Sequence, residues 1–250
     1  MVTWSWLAIA TVVLQILFAA HAIKTGRNLL WIFLIIIFPL IGMVLYAVIE
    51  LLPELRQSRA SRRAASTLAK SLDPARDLRR HQAELQIAGT VENKTKLARA
   101  YLERREYAEA ISLFESAATG IHKDDPDILL GLAHAYFLGG RPADAKAALE
   151  RLLQAHPNYQ SADGHLLYAR CLEALDDQQA ALKEFEAVAG YYPGAEAKVR
   201  YGQLLKRLGR EHEARAVFKD LLTVAEHAPS HYRKAQKEWL SIAERELPRV

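Results

Sequence analysis

The chain has 250 residues, a formal net charge of +4 and a single cysteine, Cys171. One cysteine excludes an intrachain disulfide framework and a cysteine-rich zinc site. The mean hydropathy of -0.07 is that of an ordinary globular protein, but residues 1–50 carry only Lys24, Arg27 and Glu50 as charged side chains. The composition therefore predicts an apolar first part followed by a polar second part.

The positive charge is concentrated between these two parts. Residues 51–90 hold eight Lys and Arg against four Asp and Glu, whereas residues 91–250 hold 23 against 24. A nucleic-acid-binding domain places its basic excess on the folded module. Here the basic excess follows an apolar segment, a position that favours contact with anionic lipid head groups instead. We therefore expect no nucleic-acid partner.

Two apolar runs of about 21 residues, Val2–Ile23 and Leu29–Ile49, are each long enough to cross a hydrocarbon core of about 30 Å. They predict a two-span membrane anchor over residues 1–52. The Lys and Arg residues near the span ends favour cytoplasmic termini, with the rest of the chain on the cytoplasmic side. A cleaved signal peptide is the alternative for the first run, but no Lys or Arg precedes that run.

The second run contains a proline near its centre. Pro39 removes a helical hydrogen bond and leaves the carbonyl of Ile35 free. Pro39, Gly42 and Tyr46 share one helix face. We expect Gly42 to let the first helix approach and Gln15 to supply a partner for the carbonyl. The predicted hairpin-packing residues are Gln15, Pro39, Gly42 and Tyr46.

The segment "LWIFLIIIFPLIGMVLY", Leu30–Tyr46, resembles the second helix of the N-terminal hairpin of cardiolipin synthases in the phospholipase D superfamily. Phe38, Pro39, Gly42 and Tyr46 match that pattern. The resemblance implies a bacterial inner membrane and a link to phospholipid metabolism. Catalysis in that superfamily requires two His-x-Lys-x-x-x-x-Asp motifs. None of the nine histidines of this chain is followed by Lys two positions later, so the motif is absent. The resemblance therefore implies the hairpin without its chemistry.

Residues 53–73 form a predicted basic linker, and residues 74–90 a short linker helix that begins near Pro74 and stops at Gly89. Two interpretations of the linker remain open. It is either a solvated spacer or an interfacial segment that contacts anionic lipid. The contact would be made by Arg56, Arg59, Arg62, Arg63 and Lys70.

From residue 91 the sequence repeats at a period of 33 to 36 residues, with helix-forming residues and no strand pattern. Small residues recur where two helices of one pair should cross closely. They are Ala98, Ala133, Ala169 and Gly202 in the first helices, and Ala110, Ala145, Ala181 and Ala214 in the second helices. The predicted fold is all-α: a two-helix transmembrane hairpin, then an α-solenoid of four helix pairs with a C-terminal capping helix, over residues 91–250.

This pattern resembles the tetratricopeptide repeat (TPR). The resemblance implies a binding scaffold whose first helices line a groove for a peptide or a partner helix. By register, the groove residues are Arg99, His134, Arg170 and Gln203, with Leu130, Phe137, Leu166, Glu173, Lys206 and Arg207 nearby. Arg99, His134 and Arg170 would form a cationic stripe, which suits a peptide with acidic side chains or a C-terminal carboxylate. An ordinary solvated helix face is the alternative.

Each repeat also has an acidic residue near the start of its first helix: Glu92, Asp127, Asp163 and Glu196. A binding ladder is one interpretation of these acids, but the favoured explanation is structural, because a carboxylate at a helix N-terminus interacts favourably with the dipole and the free amides. The chain contains no Gly-rich phosphate loop, metalloprotease motif or nucleophile elbow. The sequence predicts no catalytic residue, metal or cofactor.

The predicted function is therefore a non-catalytic, membrane-anchored scaffold that recruits a protein partner through its groove. One alternative is a regulator of a phospholipid-synthesising enzyme that acts through the hairpin. Another is a periplasmic assembly factor.

Overall fold

The computed structural model describes residues 3–26, 28, 30–51, 73 and 75–247. Every regular element within these ranges is helical, which confirms the all-α class. The chain divides into two compact units, Met1–Arg76 and Asp77–Val250. The predicted basic linker and its lipid-contacting residues, Arg56 to Lys70, lie outside the described residues.

The N-terminal unit contains α1 (Thr3–Lys24), α2 (Leu30–Ile37) and α3 (Pro39–Tyr46), followed by a π-helical turn (Ala47–Leu51). Pro39 is the first residue of α3 and Phe38 is its N-cap. A proline is tolerated at a first helical position because the amide there has no intrahelical acceptor. The predicted second span is therefore two short helices.

This break corrects the membrane predictions. Among the residues that the structure describes, no helix is long and apolar enough to cross a membrane. The helices α2 and α3 have eight residues each, or about 12 Å of helix against a hydrocarbon core of about 30 Å. The prediction of an integral inner-membrane protein is wrong, because the expected kink at Pro39 is a full break that divides the second run into two helices too short to span.

The carbonyl of Ile35, which Pro39 leaves without its helical donor, is hydrogen-bonded to a side chain of α1. Gln15 Nε2 donates to Ile35 O over 2.9 Å, and Ile35 is fully buried. A buried carbonyl without a partner would cost about 1–3 kcal/mol. The Gln15 side chain therefore makes the break in the second run compatible with packing against α1.

Tyr46 is the centre of the small core of this unit and is fully buried. The rings of Phe18 and Trp31 pack edge-on against it at centroid distances of 5.8 and 5.4 Å. Its hydroxyl lies 2.9 Å from Nδ1 of His21. Trp31 Nε1 in turn donates to Glu50 Oε1 over 3.1 Å, so hydrogen bonds as well as apolar contacts close this core.

The role of Gly42 differs from the expectation. A Cβ atom at this position would lie 2.3 Å from the carbonyl oxygen of Leu34, on α2. Gly42 is therefore required for the close approach of α3 to α2 at the break, where the sequence analysis expected an approach of α1.

The second unit begins with a short helix, α4 (Arg76–Ile87), within the predicted 74–90. Its Gln82 Nε2 donates to the hydroxyl of Tyr101 over 3.0 Å. Four helix pairs follow: α5 (Val91–Glu103) with α6 (Tyr107–Ala117), α7 (Pro126–Leu138) with α8 (Pro142–Ala155), α9 (Ala162–Ala174) with α10 (Gln178–Ala189), and α11 (Glu196–Arg207) with α12 (Glu211–His227). A short 3₁₀ turn, Gly120–His122, connects the first two pairs.

Each helix packs against its pair partner, and each second helix packs against the first helix of the next pair. The small residues lie where the sequence pattern places them: Ala98, Ala133 and Ala169 are fully buried. A Cβ atom at Gly202 would lie 2.6 Å from the ring of Phe218. Large side chains then fill the layers between pairs, which is how a solenoid builds a core from units that cannot bury their own faces.

The turn inside every pair has one backbone conformation. The residue with positive φ is Arg105 at 63°, Gly140 at 77°, Asp176 at 61° and Gly209 at 77°. The amide of the following residue donates back to a carbonyl five positions earlier in each repeat, as in Arg141 N to Tyr136 O over 2.8 Å. This is the Schellman arrangement, and its recurrence in all four pairs sets their common register.

The predicted capping helix is divided into α13 (Ser230–Ala235) and α14 (Lys237–Glu246). The division falls at Gln236, whose side-chain oxygen accepts from the backbone amide of Ala195 over 2.9 Å. Leu240 and Ala243 of α14 are buried against the last pair. The cap therefore closes the apolar end of the array.

Candidate binding face of the repeat array

The candidate face is formed by the first helices, α5, α7, α9 and α11. All the predicted groove residues lie on these helices, and most are partly or fully exposed. The exception is Leu166, which is buried at 4% exposure and belongs to the core. Leu130 and Phe137 also pack partly against a core cluster. The predicted apolar patch is therefore narrower than the register suggests.

Arg99 lines a cleft between the starts of α5 and α7, with a volume of about 570 Å³. Its neighbours in the cleft wall include Lys96, Glu92 and Asp125. Lys96 Nζ lies 2.6 Å from Glu92 Oε1, and Asp125 caps α7 by accepting from the amides of residues 127 and 128. Lys96, Glu92 and Asp125 are therefore locally satisfied, whereas Arg99 and Asp127, which also lines the cleft, form no ion pair within the described ranges.

Arg170 lies further along the face and is held in a different environment. Its guanidinium carbon is 4.6 Å from the centroid of the Phe137 ring. Its Nη1 is 3.6 Å from Oε1 of Glu196. Its Nε is buried and has no hydrogen-bond partner. Burial, followed by the nearby charge of Arg200, lowers the pKa of Arg170 from its usual value.

Glu196 connects Arg170 to the C-terminal end of the face. The same Oε1 atom accepts from Arg200 Nε over 2.7 Å, and the guanidinium of Arg200 stacks over Trp239 at 5.2 Å. We call Phe137, Arg170, Glu196, Arg200 and Trp239 the arginine ladder. It joins α7, α9, α11 and the cap.

His134 weakens the predicted cationic stripe. Burial lowers its pKa from the usual 6.5, the charge of Asp163 opposes this shift, and Arg170 adds to it. A histidine whose pKa lies below 6.5 is mostly neutral at pH 7. Arg99 and Arg170 are therefore separated by an uncharged side chain, and the two cations act as separate sites.

The remaining predicted cations are paired. Lys206 donates to Glu246 of α14 over 2.7 Å, and Arg207 donates to Glu173 of α9. Gln203 is partly exposed on α11. The C-terminal end of the face is therefore nearly neutral outside the arginine ladder.

The arginine ladder was not among the features predicted from the sequence. From the sequence, Glu196 is explained by the helix dipole, and Trp239 is not among the predicted site residues. The four-residue spacing of Glu196 and Arg200 is a recognisable signal for a helical ion pair. The contacts to Arg170 and Trp239 join distant helices, so no local spacing could have revealed them.

The described residues contain no group of three or more His, Cys, Asp or Glu positioned for a metal ion. Cys171 is fully buried, and burial raises the pKa of its thiol to about 12. Nucleophilic chemistry needs an accessible thiolate. The face is therefore suited to binding by hydrogen bonds, charge and stacking.

The fold and the face together define an α-solenoid of helix pairs with an exposed first-helix surface. Family models described as tetratricopeptide repeat match residues 101–171, 163–195 and 195–227. This part of the chain is therefore a tetratricopeptide-repeat array, which confirms the resemblance drawn from the repeat pattern. All three matches lie outside the N-terminal unit, so none supports the resemblance of its hairpin to cardiolipin synthases.

Solved structures share the fold of the array. MamA, residues 41 to the end, from Desulfovibrio magneticus RS-1 aligns with a TM-score of 0.57 at 13% identity, covering 68% of this chain and 95% of that chain. A MamA RS-1 double mutant aligns with a TM-score of 0.56 at 12% identity, covering 66% and 92%. YrrB, described as a TPR protein with an unusual peptide-binding site, aligns with a TM-score of 0.49 at 19% identity, covering 65% and 84%. A search of curated protein sequences gave no match.

Proposed function

We propose that the protein is a non-catalytic scaffold that binds an acidic peptide segment of a partner protein on the face of its first helices. The coarse assignment, a protein-interaction scaffold, follows from the repeat array. The choice of an acidic segment depends on the positive charge that the face leaves unpaired, which is that of Arg99 and, in part, Arg170, because the other predicted cations are paired or neutral. Arg207 is paired with Glu173 and Lys206 with Glu246, and His134 is mostly neutral at pH 7.

One observation carries the proposal. Arg99 lies in a cleft of about 570 Å³ and has no ion-pair partner among the described residues. A guanidinium offers five donors in a planar fork that matches a carboxylate. The cleft is open, so an extended peptide can enter it without a change in the repeat packing. We infer that Arg99 is the first contact for an acidic side chain.

The test uses the full chain and two pools of fluorescein-labelled dodecapeptides. One pool has Glu at its central positions and the other has Gln at the same positions. We expect tighter binding of the Glu pool, with an affinity that falls as salt rises because exposed charges are screened. Arg99→Glu should reduce this affinity at least about tenfold, since it replaces an attraction by a repulsion.

The matched control is Lys219→Glu, which makes the same charge change at an exposed position of α12, on a second helix. It should bind the Glu pool as the wild type does. Equal affinities for the two pools, or equal losses in the two variants, would contradict the proposal. The second result would mean that binding follows net charge and does not require the first-helix face.

A further inference from the structure

The arginine ladder contains two guanidinium groups and one carboxylate. Arg170 Nη1 and Arg200 Nε approach the same oxygen, Oε1 of Glu196, at 3.6 and 2.7 Å. The shorter contact is a hydrogen bond within α11. Two guanidinium groups and one carboxylate leave the cluster with one positive charge in excess. Because its contact is the longer one, Arg170 is the less neutralised of the two arginines.

Arg170 also lacks hydrogen bonds that its burial would require. Its Nε has no partner, although the side chain as a whole keeps 24% of its surface accessible. A buried donor without an acceptor is costly, and more so when the group is charged. Because Nε itself is buried, an incoming oxygen atom would approach the exposed part of the guanidinium group.

An aromatic ring lies against each of the two cations. Phe137 lies under Arg170, and Trp239 lies under Arg200. Stacking of this kind restricts rotation of the guanidinium group while leaving its donor edge free for a planar acceptor. A carboxylate that approaches the edge of such a group can form two parallel hydrogen bonds. The two arginines are therefore arranged before any ligand binds.

Glu196 is located so that it can be exchanged for another acid. It is the first residue of α11, and its side chain is 18% exposed. It bonds to Arg200 within its own helix and only weakly to Arg170 across the helix gap. A ligand carboxylate with better geometry at Arg170 would compete with this weak contact.

We propose that Arg170 and Arg200 form an anchor for an acidic side chain of the bound peptide, and that Glu196 acts as a built-in competitor for that anchor. The anchor deepens the proposed function and rests on it, because it is a second subsite on the same face. Arg99 holds one acidic side chain near the first repeat, and the ladder holds another near the third and fourth repeats.

Glu196→Gln tests the competitor directly. The amide keeps the size and one acceptor oxygen of the side chain and removes its charge. We expect the full-length variant to bind the fluorescein-labelled Glu pool about tenfold more tightly than the wild type, a difference of about 1.4 kcal/mol. Its affinity for the Gln pool should be unchanged.

The control is Glu211→Gln. Glu211 is likewise the first residue of a helix, α12, and pairs with Arg215 four residues later at 2.8 Å. It lies on a second helix, so its replacement removes the same charge and the same type of ion pair away from the face. This variant should bind both pools like the wild type, whereas an increase equal to that of Glu196→Gln would overturn the anchor.

A second variant keeps the proposal testable if Glu196→Gln loosens the fold, which circular dichroism would reveal. Arg170→Met preserves the stacking volume over Phe137 and should weaken binding of the Glu pool at least about fivefold, with Arg215→Met as control. Unchanged binding by both Glu196→Gln and Arg170→Met, together with loss in Arg99→Glu, would refute the anchor and leave the proposed function standing. Failure of the wild type to prefer the Glu pool would refute both.

Discussion

In the N-terminal unit, the core is small and consists of the buried residues Ala22, Ile35, Met43 and Tyr46. On the surrounding helices, Ile16, Phe33 and Leu40 remain 62%, 63% and 71% exposed. In the repeat array, Phe114, Phe185 and Phe218 recur on the second helices, each at most 1% exposed. Both units are helical and rich in apolar residues. They differ in whether the apolar residues have neighbouring helices to cover them.

This difference shows that apolar content alone does not build a core. The array repeats a small residue on one helix against a large residue on the next, so every layer is filled by the same contacts. The N-terminal unit depends on particular contacts, such as Gln15 with the carbonyl of Ile35. Its stability should therefore respond to single hydrogen bonds and close approaches, and that of the array to the loss of side-chain volume.

The largest expected effect is in the core of the array. Phe218→Ala removes a ring that packs on Gly202 and should lower the free energy of unfolding by about 3–5 kcal/mol. Urea unfolding followed by circular dichroism measures this loss. Val224→Ala, on the same helix at 55% exposure, should change it by less than about 0.5 kcal/mol.

Hydrogen exchange in peptides covering residues 30–50 should be unchanged in Phe218→Ala, because the substitution lies in the other compact unit. Faster exchange there would show that the two units unfold together, so that their stabilities do not depend on separate sets of contacts.

The next effect is expected in the N-terminal unit. Gly42→Ala would place a methyl group 2.3 Å from the carbonyl oxygen of Leu34, and a backbone atom cannot rotate away. Such overpacking costs about 1–3 kcal/mol. Hydrogen exchange of α2 and α3 should accelerate, while that of the array stays constant.

Val44→Ala is the control on the same short helix, since Val44 is 61% exposed. It should leave the exchange of α2 and α3 close to that of the wild type. If Gly42→Ala also left exchange unchanged, the close approach at the Phe38–Pro39 break would not limit the stability of this unit.

The sequence predicted the array well because its signals are local and repeated. Ala98, Ala133, Ala169 and Gly202 recur at one position, and four copies of a weak pattern make a strong one. The N-terminal unit has no second copy, so a continuous apolar run and a broken one could not be separated by hydropathy. Pro39 was the signal for the break.

The candidate site was predicted less completely. Register placed Arg99 and Arg170 on the first helices, and both lie there. The repeat register does not show which cations are paired across helices, so Lys206 and Arg99 were both predicted as groove cations. The pairing of Lys206 with Glu246 joins residues 40 positions apart, beyond any local pattern.

A smaller effect should distinguish the four turns of the array. Arg105 has a φ of 63°, a conformation that costs an L-residue about 1–2 kcal/mol. Arg105→Gly should remove this cost. The gain is reduced by about 0.5–1 kcal/mol, because glycine loses more backbone entropy on folding. A net stabilisation of up to about 1 kcal/mol is expected.

The equivalent position of the second repeat gives the opposite sign. Gly140 has a φ of 77°, so Gly140→Ala introduces the strain that Arg105→Gly removes, and the urea midpoint should fall. Shifts of the same sign in the two variants would contradict the assignment of one shared turn conformation to all repeats.

The smallest expected effect concerns the acid stability of the array. Burial lowers the pKa of His134 below 6.5, so the unfolded chain binds a proton more readily than the folded chain just below this pH. The free energy of unfolding should therefore fall as the pH decreases through 6.5, and the contribution should be fully retained above it. The charge of Asp163 makes protonation of His134 in the folded array less costly, and the charge of Arg170 makes it more costly.

His134→Gln should reduce the loss of stability measured between about pH 7.5 and about pH 5.5. The control His231→Gln, at an exposed position of α13, should leave this loss unchanged. An equal loss in the wild type and in His134→Gln would mean that His134 can accept a proton in the folded array at little cost, and the cationic stripe predicted through Arg99, His134 and Arg170 would then form at acidic pH.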